Sequence, residues 1–156
     1  MADQSTHKRD RRNRSREKLV NLVACRNETL VLFSELIGRR PFLADQATEL
    51  ALKRFCQVLI DYAASAHFQL YRYIADGRER RRAVLDVAQQ VYPRIALATD
   101  AILEFNDRYD VSPLDDRVNW LEDDLSRLGE MLAERIQLED QIIEALHGKE
   151  CRRAAG

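Results

Sequence analysis

The feature that most constrains the fold is an apolar repeat of three and four residues that continues along nearly the whole chain. Its clearest example is a 3–4–3–4 stripe of Val118, Leu121, Leu125, Leu128 and Leu132. On an α-helix this spacing gathers the side chains on one face, which packs against neighbouring helices at shallow angles. The 156 residues include only 5 Gly and 3 Pro, so few positions interrupt helices. The sequence therefore predicts an all-α, antiparallel up-and-down four-helix bundle with long helices.

Stop signals divide the repeat into its predicted helices. The first helix ends at Gly38, the second closes at Asp76-Gly77, and the last ends at Gly148, because glycine readily adopts the conformation that terminates a helix. Tyr92-Pro93 predicts a kink or a break in the third helix, since proline lacks a backbone donor. The four predicted helices run from about Glu17 to Ile37, Asp45 to Ala75, Arg78 to Tyr109, and Ser112 to His147.

Two helix starts carry recognisable caps. Asp45 is the predicted N-cap of the second helix, with Glu49 in its first turns. The fourth helix is predicted to start with Ser112 as its N-cap, Pro113 at the first helical position and Asp115 three residues after the cap.

The ends of the chain differ from its centre. Residues 1–16 lack core-forming side chains and are predicted to be a flexible basic arm, residues 17–148 a single helical-bundle domain, and residues 149–156 a frayed tail. No apolar run reaches the roughly 20 residues that span a bilayer, and no secretory signal opens the chain. Cys25, Cys56 and Cys151 are far apart, which favours free thiols in a reducing cytoplasm.

A net charge of −1 hides a strong asymmetry along the sequence. Residues 8–18 carry seven Lys or Arg against two acids, whereas residues 100–144 carry fourteen acids against four Arg. Such polarity is typical of a protein that meets a charged macromolecule, and it is also compatible with solvated helix faces.

Metal and catalytic chemistry find little support. A di-iron bundle needs two Glu-x-x-His pairs, and only Glu144 with His147 forms one. On one helix, Cys56 and His67 lie roughly 16 Å apart along the axis, and Asp61 points away from His67, so no nucleophile and base can meet. We expect no metal, no cofactor and no enzymatic activity.

The stretch FCQVLIDYAASAHFQLYRY, residues 55–73, presents two faces on a helical wheel. One face carries a core stripe, with Cys56, Ile60, His67 and Ile74 flanking it; the stripe itself is Phe55, Leu59, Tyr62, Ala66, Leu70 and Tyr73. Where a solvated helix would show Lys and Glu, the opposite face carries Gln57, Asp61, Ala64, Phe68 and Tyr71. That row suits contact with a partner, or a neighbouring helix covers it.

The same stretch resembles the signature helix of the regulator of sigma D family (Rsd/AlgQ), through its Phe-Cys-Gln, Asp-Tyr and His-Phe elements. LGEMLAERIQLEDQII, residues 128–143, resembles the family's C-terminal helix, and Tyr92-Pro93 falls at a family aromatic-proline position. Arg26, Leu30, Phe33 and Gly38 match the first helix, so the resemblance covers about residues 18–146.

The resemblance implies a cytoplasmic anti-sigma factor without enzymatic activity. Its partner would be region four of the primary sigma factor, a basic helix-turn-helix that reads the −35 promoter element, and binding would free core polymerase for other sigma factors. A further regulatory protein as second partner stays open, and no membrane contact or direct DNA binding is expected. An acidic helical surface that meets a basic DNA-binding module would steer association.

The resemblance also assigns contact residues. The family's sigma-contacting row falls at Asp61, Ala64 and Phe68, and Gln57 and Tyr71 extend it by position. Asp61 would pair with a basic residue of sigma, and Phe68 would be an apolar anchor.

The chain departs from the family pattern at three of these positions. Family members carry serine where this chain has Ala64, and the family's first-helix Asp and Trp fall on Val20 and Leu22. The rival function is nucleic-acid binding through the basic arm, Lys8 to Lys18.

Overall fold

The computed structural model describes residues 2–75, 81–110 and 113–154. Within these ranges the chain forms five α-helices, one π-helical turn and one 3₁₀ turn. No strand occurs within those ranges. None of the helices described there is long and apolar enough to cross a membrane. The elements are α1 (Ala2–Ile37), α2 (Gln46–Ala66), the π turn (His67–Tyr71), α3 (Arg72–Ala75), α4 (Arg82–Tyr109), the 3₁₀ turn (Asp115–Arg117) and α5 (Val118–Ala154).

Four rods make up the bundle, because α2, the π turn and α3 follow one another without leaving helical backbone angles. Around the bundle, α1 lies beside α2, α2 beside α4, α4 beside α5, and α5 beside α1. Ion pairs give the direction of α5 against its two neighbours: Arg26–Asp140 and Arg40–Glu122 from α1, and Arg94–Glu134 and Arg108–Asp124 from α4. The predicted all-α antiparallel bundle is confirmed.

The core follows the predicted stripes. Leu121, Leu125, Leu128 and Leu132 are buried on α5, and Val118 packs against them half-buried. On α2 and the π turn, the predicted stripe is buried from Phe55 to Leu70, while the side chain of Tyr73 lies outside the described residues. Other fully buried side chains include Leu22, Leu36, Leu52, Ile102, Tyr109 and Leu114.

One helix start is confirmed in detail. The Asp45 side chain accepts a hydrogen bond from the backbone N–H of Thr48 at 2.8 Å, as an N-cap does. The carboxylate of Glu49 instead reaches across the bundle and accepts from the backbone N–H of Leu114 at 2.7 Å. This contact fixes the chain just before the 3₁₀ turn against the start of α2.

The first helix is longer than predicted. It begins at Ala2 rather than at Glu17, so residues 2–16 are helical, and it ends before Gly38 as expected. No Gly or Pro precedes Gly38, and Arg, Lys, Glu and Gln are good helix formers, so nothing in the local sequence stops the helix at residue 17. The mobility of the arm stays a prediction.

The later boundaries also differ. α4 runs through Pro93 without a break, held on both sides by buried Val91 and Ile95. Pro113 lies before the helix rather than at its first position, because a 3₁₀ turn comes first and α5 begins at Val118. α5 continues past Gly148 to Ala154, through the tail predicted to be frayed.

Three predicted features fall on residues that the structure leaves undescribed. They are the Ser112 cap, the Asp76-Gly77 stop and the start of the third helix at Arg78.

Gly129 permits the close approach of α5 to α1. A Cβ atom at this position would lie 2.8 Å from Cζ of Phe33, well inside normal contact distance. Phe33 in turn lies against Phe55 of α2, with 6.0 Å between ring centroids. The glycine of the Leu-Gly-Glu element therefore has a packing role.

Candidate partner-binding face

Four of the five predicted contact residues lie exposed along α2 and the first residues of the π turn. We call Gln57, Asp61, Ala64 and Phe68 the outer row. Gln57 Nε2 donates a hydrogen bond to Asp61 Oδ1 at 3.1 Å, which holds the carboxylate on this surface. The Phe68 side chain is 58% exposed, so no neighbouring helix covers the row at that position.

Tyr71 is not part of the outer row, and its predicted placement is wrong. Its side chain is only 8% exposed and its hydroxyl donates to Glu139 Oε1 at 3.1 Å. The reason is the π turn, which contains one residue more per turn than an α-helix and so shifts the register that follows. A wheel drawn at 100° per residue points Tyr71 outward, whereas the π turn brings it inward.

Below the outer row lies a buried polar group, which we call the inner cluster: Tyr62, Tyr71, Arg135 and Glu139. Glu139 is fully buried and accepts hydrogen bonds from both tyrosine hydroxyls and from Arg135 Nε, the last at 3.0 Å. Arg135 is 1% exposed, and its guanidinium also lies over the Tyr62 ring, 5.3 Å from the centroid. The cluster thus joins α2, the π turn and α5.

Two further contacts tie the inner cluster to the remaining helices. Arg135 Nη1 donates to the Thr99 hydroxyl on α4 at 3.0 Å. Arg26 on α1 lies 3.9 Å from Glu139 and pairs with Asp140 at 2.8 Å. Every rod of the bundle therefore contributes to the cluster, which fixes how the helix that carries the outer row sits on the other three.

Burial governs the ionisation of the inner cluster. Burial, followed by the neighbouring negative charge of Glu139, raises the pKa values of Tyr62 and Tyr71 well above their usual range, so both stay neutral donors. Burial opposes the charge on Arg135, but the two tyrosines and Glu139 outweigh it, and the pKa of Arg135 is raised. The arrangement is a paired, hydrogen-bonded ion pair within the core.

Sequence reasoning missed the inner cluster. The signal present in the sequence was an arginine and a glutamate four residues apart, Arg135 and Glu139, at positions that continue the apolar face of the last helix. From helical spacing alone, an arginine and a glutamate four residues apart would be interpreted as a solvent-exposed ion pair.

Phe68 has two neighbouring side chains that were not among the predicted contact residues. The His67 ring meets its edge at 5.3 Å between centroids, and His67 is exposed. The Arg72 guanidinium lies 5.9 Å from the centroid of the Phe68 ring. The exposed ring is therefore held from two sides, and the signal for Arg72 was its position four residues after Phe68.

Two chemical possibilities can be checked among the described residues, a reactive thiol at Cys56 and a metal site. Cys56 is buried, and burial, followed by the charge of Asp110, raises the pKa of its thiol to about 12, which suppresses the reactive thiolate. No group of three His, Cys, Asp or Glu side chains among those residues is placed to hold a metal ion.

The two first-helix positions at which the family pattern has Asp and Trp differ in their exposure. Val20 is exposed, whereas Leu22 is fully buried in the core and is unavailable to a partner.

The chain is similar to a known protein family and to several proteins of known name. The family model described as regulator of RNA polymerase sigma(70) subunit, Rsd/AlgQ, matches residues 1–147, and so reaches further towards the start than residues 18–146. A regulator of sigma D from Yersinia enterocolitica is 34% identical over 134 residues, covering 83% of this chain and 80% of that protein. No solved structure matches the chain.

Two other relatives extend the comparison. A regulator of sigma D from Yersinia pseudotuberculosis is 32% identical over 135 residues, covering 83% of this chain and 79% of that protein. One from Enterobacter sp. (strain 638) is 34% identical over 122 residues, covering 76% of this chain and 73% of that protein.

Proposed function

The chain belongs to the Rsd/AlgQ family of regulators of the RNA polymerase sigma(70) subunit, and from that membership we propose that it is an anti-sigma factor. It regulates the primary sigma factor by binding, without enzymatic activity, in the cytoplasm where RNA polymerase works. The partner surface on sigma is region four, and binding withholds sigma from core polymerase and from −35 promoter DNA.

The observation that carries the proposal is the outer row. An exposed phenylalanine that is braced by neighbours, next to a small residue and a carboxylate, suits the centre of an interface rather than solvent. Phe68 enters an apolar pocket on sigma, Ala64 allows close approach of the backbones, and Asp61 pairs with a basic side chain of region four.

Electrostatics support the same partner. Exposed acids also lie along α5, which sits diagonally across the bundle from α2, among them Glu122, Asp123, Glu130 and Asp140. Their field attracts a basic DNA-binding module from a distance, which raises the rate of association more than the final affinity. Because region four uses its basic surface for promoter DNA, occupation by this chain excludes the DNA.

The test is a calorimetric titration of isolated region four into the full chain, followed by competition with a −35 duplex. The proposal expects one-to-one binding with a micromolar or tighter Kd, and displacement of region four from the duplex. A well-folded chain that gives no heat and leaves the duplex complex intact would overturn it.

A further inference from the structure

Basic residues of three rods lie at one end of the bundle. Arg81, at the start of α4, donates from Nη1 to the carbonyl oxygen of Leu146 near the end of α5 at 2.8 Å. The Arg26–Asp140 pair sets α1 antiparallel to α5, so that Lys18 runs beside the same end of α5. Arg72 and Arg82 are exposed where the second rod ends and the third begins. This basic end also carries residues 8–18, which extend α1 outward.

The inward face of α1 changes character at this end. Leu22, Thr29, Leu32 and Leu36 are its buried positions, whereas Lys18, one turn before Leu22, is exposed. The face that is buried within the bundle therefore continues to a cation at Lys18, which apolar packing cannot satisfy but an anionic partner can.

The opposite end of the bundle has the opposite charge. Asp107, Asp110, Asp115 and Asp116 are exposed there, around the end of α4 and the 3₁₀ turn. Along α5, the distance from Asp124, at the acidic end, to Leu146 is about 33 Å at 1.5 Å per residue. Over that distance, charges at the two ends are screened from each other at physiological ionic strength, so the acidic end does not cancel the positive field of the basic end.

We propose that the basic end binds the phosphate backbone of nucleic acid chiefly through residues 8–18 of α1, and not through the outer row, which it borders at Arg72. Five of the seven cations in residues 8–18 are arginines, whose planar forks match phosphate oxygens better than lysine does. Residues 3–18 contain no apolar side chain beyond the methyl of threonine, so this helix has nothing to insert into a membrane. Backbone contacts without base-reading motifs give affinity without sequence preference.

The test measures fluorescence anisotropy of a labelled 20-nucleotide single-stranded RNA, and of DNA with the same sequence, against the full chain. With about five phosphate contacts, affinity falls about a hundredfold between 50 and 200 mM salt. The variant Lys8→Gln, Arg9→Gln, Lys18→Gln loses at least tenfold in affinity at 50 mM salt and lowers the salt slope by about two. Glutamine keeps the helix, which circular dichroism verifies.

The matched control removes three exposed cations elsewhere, through Lys53→Gln, Arg54→Gln and Arg127→Gln. It makes the same change in net charge and should keep affinity within about twofold, since it leaves the phosphate contacts intact. Equal loss in both variants, or no binding by the wild type, would overturn the proposal.

Two comparisons complete the assignment. Polyglutamate of equal charge that competes as well as RNA would assign the basic end to an acidic protein and overturn the proposal. Similar affinity for RNA and DNA upholds a backbone site, and a preference for RNA upholds it with a contribution from the 2′-hydroxyl.

Discussion

Phe68 and Tyr71 are aromatic residues three positions apart in one helical rod, and the structure places them in opposite environments. Phe68 is 58% exposed in the outer row, whereas Tyr71 is 8% exposed in the inner cluster. Both residues lie in the π turn, whose extra residue shifts the register so that Tyr71 turns toward Glu139 while Phe68 stays outside. Residue type alone therefore does not assign an aromatic side chain to a core or to an interface.

The two regions also differ in how their polar atoms are satisfied. In the inner cluster, Glu139 accepts from three donors and every rod contributes a contact, so these polar groups are satisfied within one chain. In the outer row, only the Gln57–Asp61 hydrogen bond joins side chains of the row to each other. Substitutions in the cluster should therefore change stability, and substitutions in the row should change binding.

The largest effect is expected from Glu139→Gln. The substitution leaves the Arg135 charge buried without its partner, which should lower the free energy of unfolding by roughly 3–5 kcal/mol. Urea unfolding followed by circular dichroism measures the change. Glu130→Gln, at an exposed acid on the same helix, is the control and should change it by less than about 0.5 kcal/mol. Equal effects of the two substitutions would mean that the buried Arg135–Glu139 pair stabilises the fold no more than an exposed acid does.

The second-largest effect is expected at alkaline pH, which should lower the free energy of unfolding through buried groups of the core. Tyr62, Tyr71 and Cys56 have raised pKa values in the folded protein, so the folded state keeps protons that the unfolded chain releases above about pH 9 to 10. Their stabilisation is complete below that range. As pH rises above it, each group removes about 1.4 kcal/mol per pH unit until its folded pKa is reached.

Urea unfolding at pH 8, 10 and 11 checks this dependence. Tyr71→Phe should reduce the slope above pH 10 by about one proton, because one of the protons retained on folding is removed. An unfolding free energy that stays constant from pH 8 to pH 11 would contradict the burial of these groups.

A smaller effect, on binding, is expected from Asp61→Asn in the outer row. The substitution keeps an oxygen for Gln57 but removes the charge that is proposed to pair with a basic side chain of region four. We expect affinity to fall about fivefold and its salt dependence to decrease, with little change in stability. Asp86→Asn, an exposed acid on α4, is the matched control. Equal loss in both variants would mean that net charge, rather than the row, attracts sigma.

The smallest effect is expected from Ala64→Ser. Serine restores the hydroxyl that relatives are expected to carry, at an exposed position where it costs little stability. Binding should tighten by about 0.5 kcal/mol, the low end for a neutral hydrogen bond, if the hydroxyl meets an acceptor on sigma. Calorimetry with region four checks it, and weaker binding would indicate that the surfaces approach too closely there for a hydroxyl.

Much of the fold could be predicted from periodicity and caps, because apolar spacing and the Asp45 cap act locally. The four-rod bundle and the α5 stripe are confirmed, as is most of the core face of α2. The start of α1 could not be predicted from a lack of apolar side chains, since helix propensity continues without them. Pro93 did not break α4, because tertiary packing on both sides outweighs a local preference.

The candidate site was predictable only as far as the helix was regular. Gln57, Asp61, Ala64 and Phe68 lie on the predicted face, whereas Tyr71 does not, because no local signal in the sequence marks the π turn. The inner cluster depends on contacts between residues far apart in the sequence, such as Tyr62 and Glu139, which are 77 positions apart, and no local pattern reports such contacts. The role of the outer row in binding stays a prediction.

The central claim is that the outer row serves binding and the inner cluster serves stability. The most direct test compares Phe68→Ala with Tyr71→Phe and measures both region four binding and urea unfolding for each. Phe68→Ala should weaken binding by about 2 kcal/mol, roughly thirtyfold, and change stability by less than about 1 kcal/mol. Tyr71→Phe should lower stability by about 1.5–3 kcal/mol and leave the Kd within about twofold. Wild-type affinity in Phe68→Ala, or an equal loss of binding in a folded Tyr71→Phe, would contradict the account.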